Sequence, residues 1–286
     1  MRNFCVGMKA VRSAFLLVGL AIALLEQPAR GQTGDSGSDE RFNYAFATQL
    51  GSGIYDVSGR TVQIYRLPFS FNVREAEGRA PRIRVELPIC FGFYDLDAED
   101  VQQTDMQDNF ATVSFVPGVA VGFSALPNWS LEPFLEFGIA EDFDGSGSAY
   151  VYALGVKSVA TFNARRLVFL LGNRLVYTGA HTPGVEIDED FAMLETGFEV
   201  RRPLQRTVKG HGIDWGPYVM NYLYLEPTEV LLKEAPLEIG GQYELGITLG
   251  TQAPVDLWCF EVPRLGIGYR FGDGVSALRV VLGAAF

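Results

Sequence analysis

The sequence predicts an all-β chain that closes into a transmembrane up-and-down antiparallel β-barrel of about twelve strands. Three observations carry that expectation. Stretches of alternating hydrophobicity recur from Phe42 onward. The face opposite the apolar one mixes Gly, Ala and Ser with Arg and Glu. The linkers alternate in length and in charge.

The N-terminal segment comes first. Arg2, Lys9 and Arg12 form a basic start, and Ala14 to Leu25 is an unbroken apolar run of twelve residues. A membrane-spanning helix needs about 20 apolar residues, so the run fits a secretory signal better than an anchor. Ala29 and Gly31 suit cleavage before Gln32. The expected organisation is a cleavable signal peptide at 1–31, a short polar lead-in at 32–41 and a barrel at 42–286. Met8 is an alternative start.

Strands are expected roughly at 42–50, 61–74, 82–94, 110–124, 129–140, 148–159, 166–178, 191–201, 213–225, 236–249, 257–271 and 275–286. The alternation is plainest in four of them. Ile83, Val85, Leu87, Ile89, Phe91 and Phe93 oppose Arg84, Glu86, Pro88, Cys90 and Gly92. Val113 to Phe123, Ile239 to Leu249 and Leu265 to Phe271 repeat the pattern. A soluble sandwich also alternates. Its wet face would not carry so many glycines, which weaken strands. In a narrow lumen, small residues relieve crowding and Arg/Glu pairs satisfy each other.

The stretches 95–109, 141–148 and 179–190 hold thirteen Asp or Glu and no Lys or Arg. If strands run up and down, all three reach one rim. The short stretch 125–128 reaches the other, and long loops against short turns is the outer-membrane pattern. The turn expected at 202–210 is the exception, with Arg202, Arg206 and Lys209. Trp129, Tyr150, Tyr152, Trp215, Tyr218, Tyr222, Tyr224 and Trp258 lie near expected strand ends, where aromatic girdles would sit. Pro68, Pro88, Pro117, Pro133, Pro217 and Pro263 should mark bulges or strand ends, because proline removes a ladder hydrogen bond.

The chain carries a formal charge of −11. Four of its 23 basic and one of its 34 acidic residues precede position 32, so the remainder carries −14. A general basic surface for nucleic acid is therefore not expected. Cys90 and Cys259 lie far apart and form no CxxC, so neither a metal site nor a disulfide follows from their spacing.

Phe286 ends the chain, with Ala284, Leu282 and Val280 before it at every second position. This terminus resembles the assembly signal of Gram-negative outer-membrane proteins. Further stretches resemble the solitary outer-membrane autotransporter-type β-barrel family. They are Gly51-Ser-Gly-Ile-Tyr, Ser58-Gly-Arg-Thr-Val-Gln-Ile-Tyr-Arg-Leu-Pro-Phe, Leu87-Pro-Ile-Cys-Phe-Gly-Phe-Tyr-Asp, Ser114-Phe-Val-Pro-Gly and Asn128-Trp-Ser-Leu-Glu-Pro-Phe. The resemblance covers the first half in sequence and the rest in architecture. It implies a translocator-like barrel of about twelve strands, with no catalytic residues to transfer. Autotransporters carry a large passenger before the barrel. The lead-in expected here would reach about 15 Å as a helix, short of the roughly 25 Å apolar band, and could not form a full plug.

The chemistry-bearing residues are few. His181 and His211 are the two histidines, and no G-x-S-x-G elbow is present. His181 with Asp188 or Asp190 would be the protease-like pairing on the outer rim. Glu141-Asp142-Phe-Asp144 resembles a calcium loop but lacks its later oxygen ligands. No catalytic site, metal or cofactor is expected. By parity, Arg66, Arg84, Glu86, Glu132, Glu136, Lys157, Arg174, Glu195, Glu199, Glu244, Arg264, Arg270 and Arg279 point into the lumen. They would form either a cross-lumen salt-bridge network or the lining of a channel.

The leading expectation is a non-enzymatic integral outer-membrane barrel, a small pore or a structural protein. Its partners would be outer-membrane lipid, lipopolysaccharide and the barrel assembly machinery. The alternatives are a surface lipase- or protease-like enzyme, or an adhesin acting through the acidic loops.

Overall fold

The structure is a computed structural model that describes residues 44–57, 60–77, 80–94, 111–143, 147–184, 189–208, 210–231, 236–251, 256–257, 260–261 and 264–283. Strands dominate because the alternating segments can bury one face only by closing on themselves. In chain order they are β1 (Gly53–Val57), β2 (Arg60–Arg74), β3 (Arg82–Tyr94), β4 (Ala111–Phe115 and Gly118–Leu126), β5 (Trp129–Asp142) and β6 (Ser148–Ala164). The second half supplies β7 (Leu167–His181), β8 (Glu189–Val208), β9 (His211–Leu231), β10 (Pro236–Thr251), β11 (Arg264–Gly272) and β12 (Val275–Leu282).

Each strand pairs antiparallel with its chain neighbours. β1 also pairs with β12, from Gly53↔Arg279 to Val57↔Val275, and the ring closes. The expected fold class, a twelve-stranded antiparallel barrel, is the one observed. Strand ends at Tyr94, Asp142, His181 and Leu231 reach one rim, here the upper. Ends at Arg74, Leu126, Ala164, Val208 and Thr251 reach the lower rim.

The apolar face points outward. Leu135, Phe137, Leu154, Leu245, Ile267 and Leu278 are all exposed, up to 61% for Leu135. Their neighbours at the opposite parity, among them Phe134, Glu136, Ala153, Glu244 and Ala277, are buried. This inversion of the soluble pattern suits a sheet whose outer solvent is hydrocarbon.

The first expected strand is wrong. Residues Tyr44–Gln49 form a short helix, α1, and the first strand starts at Gly53. A six-residue segment is too short to display a period of 3.6, and the alternation of Tyr44, Phe46 and Thr48 imitates a strand. Most of α1 is covered: Tyr44, Ala45, Phe46 and Thr48 are buried, as is Leu50 just after it, while Ala47 and Gln49 are half-buried. The helix lies inside the ring, against β7, β6 and β8. Phe46 contacts the Phe191 and Tyr224 rings at 6.5 and 6.2 Å between centroids.

Other boundaries also move. Pro117 splits β4, and both segments still pair with β3 and β5. The β4–β5 ladder steps from Ala120↔Phe134 to Phe123↔Leu131 around Pro133 without changing register. The β8–β9 ladder likewise steps from Trp215↔Arg202 to Tyr218↔Glu199 around Pro217. The segment 202–210 is not a long turn. β8 runs to Val208 and pairs it with His211, because a two-stranded ladder can continue past the end of its other neighbour. The strand expected from 257 begins at Arg264, and Asp256–Leu257 pair with Phe260–Glu261 outside the ring's sheet.

Candidate functional site

The interior of the ring is the candidate site, and α1 divides it. Tyr44 lies near the upper rim. Both its hydroxyl and the Asp142 carboxylate would lie within 2.7 Å of a Cβ placed on Gly147. Asp142 is buried at the end of β5, opposite Thr112. From Tyr44 the helix descends. Gln49 donates to Thr178 Oγ1 at 3.4 Å and accepts from Arg174 at 2.7 Å. Arg66 donates to the Thr48 carbonyl at 2.6 Å, placing a cation at the carbonyl end of the helix. A small cavity beside α1 is lined by Tyr44, Thr48, Ile64, Cys90 and Ser114, among others.

Below and beside the helix the wall is ionic. On the β9–β12 side one register row runs Tyr218↔Gly246↔Gly268↔Arg279. The two glycines leave a trough into which Tyr218 and Glu244 fold, and a Cβ at Gly268 would collide with both. Glu244 accepts from Tyr218 at 2.6 Å, from Tyr222 at 2.7 Å and from Arg279. Arg270, 1% exposed, stacks on the Tyr222 ring at 3.8 Å and donates to Gln242. Nearby, Glu199 accepts from Thr248 at 2.5 Å and pairs with Arg201 at 2.8 Å and Arg264 at 3.4 Å. Arg264 also pairs with Asp214.

On the β3–β8 side the row runs Glu132↔Lys157↔Arg174↔Glu195. Glu132 accepts from Arg82 at 2.5 Å and from Arg84. Glu86 pairs with Arg84 at 2.8 Å and with Lys157 at 3.4 Å. Arg174 pairs with Glu195 at 2.8 Å. Lys157 and Arg174 stand opposite each other yet share the Phe134 ring, each 5.1 Å from its centroid. The ring's negative face eases a like-charge pair. Glu136 is buried and has no ion pair among the described residues.

Three tyrosines expected at strand ends lie elsewhere. Tyr218, Tyr222 and Tyr224 do not belong to an outer girdle; all three are buried in the lumen wall. Trp129 and Tyr150 are exposed on the outer surface, at opposite ends of the wall. Trp258 lies outside the described residues. Of the terminal set, Val280 and Leu282 are exposed on the outer face, and Ala284 and Phe286 lie outside the described residues.

The two histidines sit at opposite rims, His181 at the end of β7 and His211 at the start of β9. Asp190 accepts the Tyr177 hydroxyl at 2.5 Å, and Asp188 lies outside the described residues.

No family model matches the chain, and no curated protein sequence does. Among solved structures the fold matches the β domain of the Bordetella autotransporter BrkA, with a TM-score of 0.52. The match covers 81% of this chain and 92% of that domain at 10% identity. A likeness at that identity is one of fold. The shared fold is a closed antiparallel β-barrel like that of this autotransporter β domain.

Proposed function

We propose that this chain is a non-enzymatic integral protein of the bacterial outer membrane, a structural barrel held closed by its own segment α1. The observation that carries this reading is the pairing of an exposed apolar exterior with an interior of buried ion pairs and a seated helix. A pore needs a continuous wet path, and charges lining it would be hydrated. Here Glu244 and Glu199 are fully buried and satisfied by protein groups.

The chain reaches the membrane after export, with residues 1–31 acting as a cleaved signal. The terminal pattern Val280, Leu282, Ala284 and Phe286 is read by the assembly machinery. The acidic rim then faces outward, toward lipopolysaccharide. The fold shared with the BrkA domain supports the location, and the sequence from Arg2 to Gly31 supports the export.

Single-channel recording of the full chain in a planar bilayer tests the closed state. Discrete current steps should be absent or brief. A steady open conductance in the unaltered protein would mean a pore instead. Heat-modifiable gel migration tests the barrel itself, and a band that never shifts counts against it.

A further inference from the structure

The lower rim carries a charge pattern that the closed-barrel reading leaves unused. The chain is acidic overall, at −11. Yet from Thr161 to Gly172 and from Val200 to Ile213 it holds six basic residues and no Asp or Glu. The β7–β8 ladder brings these stretches together at Val168↔Arg201. Arg165 and Arg166 form the two-residue turn between β6 and β7. Arg202 and Arg206 lie on the adjacent β8.

That part of β8 has left the ring. Its ladder with β7 begins at Arg201, and residues 202–208 continue with β9 alone, ending at Val208↔His211. Seven residues at the rise of a strand project on the order of 20 Å. Arg165, Arg166, Arg202 and Arg206 are exposed, and none forms an ion pair among the described residues. Arg201 differs, since it turns back to Glu199. Arg165 also holds φ at +55°, a conformation that favours glycine or asparagine in a tight hairpin.

Exposed apolar side chains share this edge: Phe162, Leu204 and Val208. Above them the outer surface continues through the stacked pair Phe169 and Phe198. Cations set against an apolar border match the level at which hydrocarbon meets phosphate. We propose that Arg165, Arg166, Arg202 and Arg206 bind anionic phospholipid headgroups of the leaflet at the lower rim. The projecting hairpin lies along that surface. The acidic stretches that follow Tyr94, Asp142 and His181 in the sequence would repel the same headgroups, which would give the barrel a preferred orientation.

This inference rests on the membrane-barrel reading. The experiment reconstitutes the full chain in phosphatidylcholine vesicles carrying spin-labelled phosphatidylglycerol or spin-labelled phosphatidylcholine. The motionally restricted fraction reports which lipid contacts the protein. An anionic headgroup near a few arginines should be favoured by about fivefold. The preference should fall toward unity in R165Q/R166Q and in R202Q/R206Q, each checked for folding by heat-modifiable migration. It should also fall on raising the salt with the unaltered protein, a readout that needs no variant. Equal association of both lipids with the unaltered protein overturns the proposal, as does a preference that both variants retain. Failure of the chain to float with the vesicles at all removes the membrane reading and this inference together.

Discussion

Two walls of the same barrel hold the same kinds of residue and treat them differently. The β8–β12 wall packs Glu199, Glu244, Arg264 and Arg270 at 3% exposure or less. The β3–β6 wall holds Glu132 and Glu86 among Arg82, Arg84 and Lys157, whose side chains are 25–40% exposed. The glycine rows of the first wall let tyrosines and arginines lie flat, so water is excluded. On the second wall Phe134 lies over Gly155, and the cations Arg82, Arg84 and Lys157 keep part of their side chains exposed. An ion pair is a rigid structural device on one side and a hydrated fringe on the other.

The largest expected effect is at Glu244. Glu244→Leu takes the carboxylate from Arg279 and an acceptor from two tyrosine hydroxyls, leaving Arg279 only the Tyr222 hydroxyl, and breaking a buried pair from one side costs about 3–5 kcal/mol. Urea unfolding of the reconstituted barrel measures it. Glu132→Leu should cost clearly less, and equal losses would erase the contrast between the walls.

Gly268→Ala comes next. Its Cβ drives into Tyr218 and Glu244, and overpacking of that kind costs roughly 1–3 kcal/mol. Gly283→Ala, where a Cβ meets nothing within 4 Å but φ is positive, reports backbone strain without a clash, whereas Gly268→Ala reports the clash without that strain.

Gln49→Ala removes one bond to Arg174 and one to Thr178. The loss is about 1 kcal/mol. It should appear as faster amide exchange in α1 and more frequent brief openings in bilayer recordings. Unchanged exchange would mean that the aromatic contacts of Phe46 hold the helix by themselves.

Arg82→Ala should change stability least, by under about 1 kcal/mol, because its side chain is 40% exposed. The small loss should vanish in high salt.

The period of two makes the barrel readable in sequence wherever one face is uniformly apolar. β10 and β11 show it: Leu245, Ile247 and Leu249 are exposed, while Glu244 and Arg270 are buried. β9 hides it, because aromatic and apolar residues occupy both faces. Trp215, Val219 and Leu223 alternate with Tyr218, Tyr222 and Tyr224. What turns those tyrosines inward is a register with β10 that sets Met220 opposite Glu244 and Tyr222 opposite Gln242. That pairing is non-local, and no window along the chain contains it. The signal within reach was their shared parity with Asp214 and Gly216. The α1 segment was unreadable for a different reason. Four of its six residues are buried, so no continuous polar face announces its helical period.

The closing strand has a mechanical consequence. β1 joins β12 and β2 through five residues, whereas the β7–β8 contact alone runs from Val168↔Arg201 to Ala180↔Glu189. Only Gly51 and Ser52, with Leu50, separate that clasp from α1, and Val280 donates to the Ser52 carbonyl at 2.9 Å. Stopper and zip fastener are one strip of chain. A tug on the segment before Tyr44 would first unseat the stopper and then load the zip at Gly53, so the barrel should split along this line before any other.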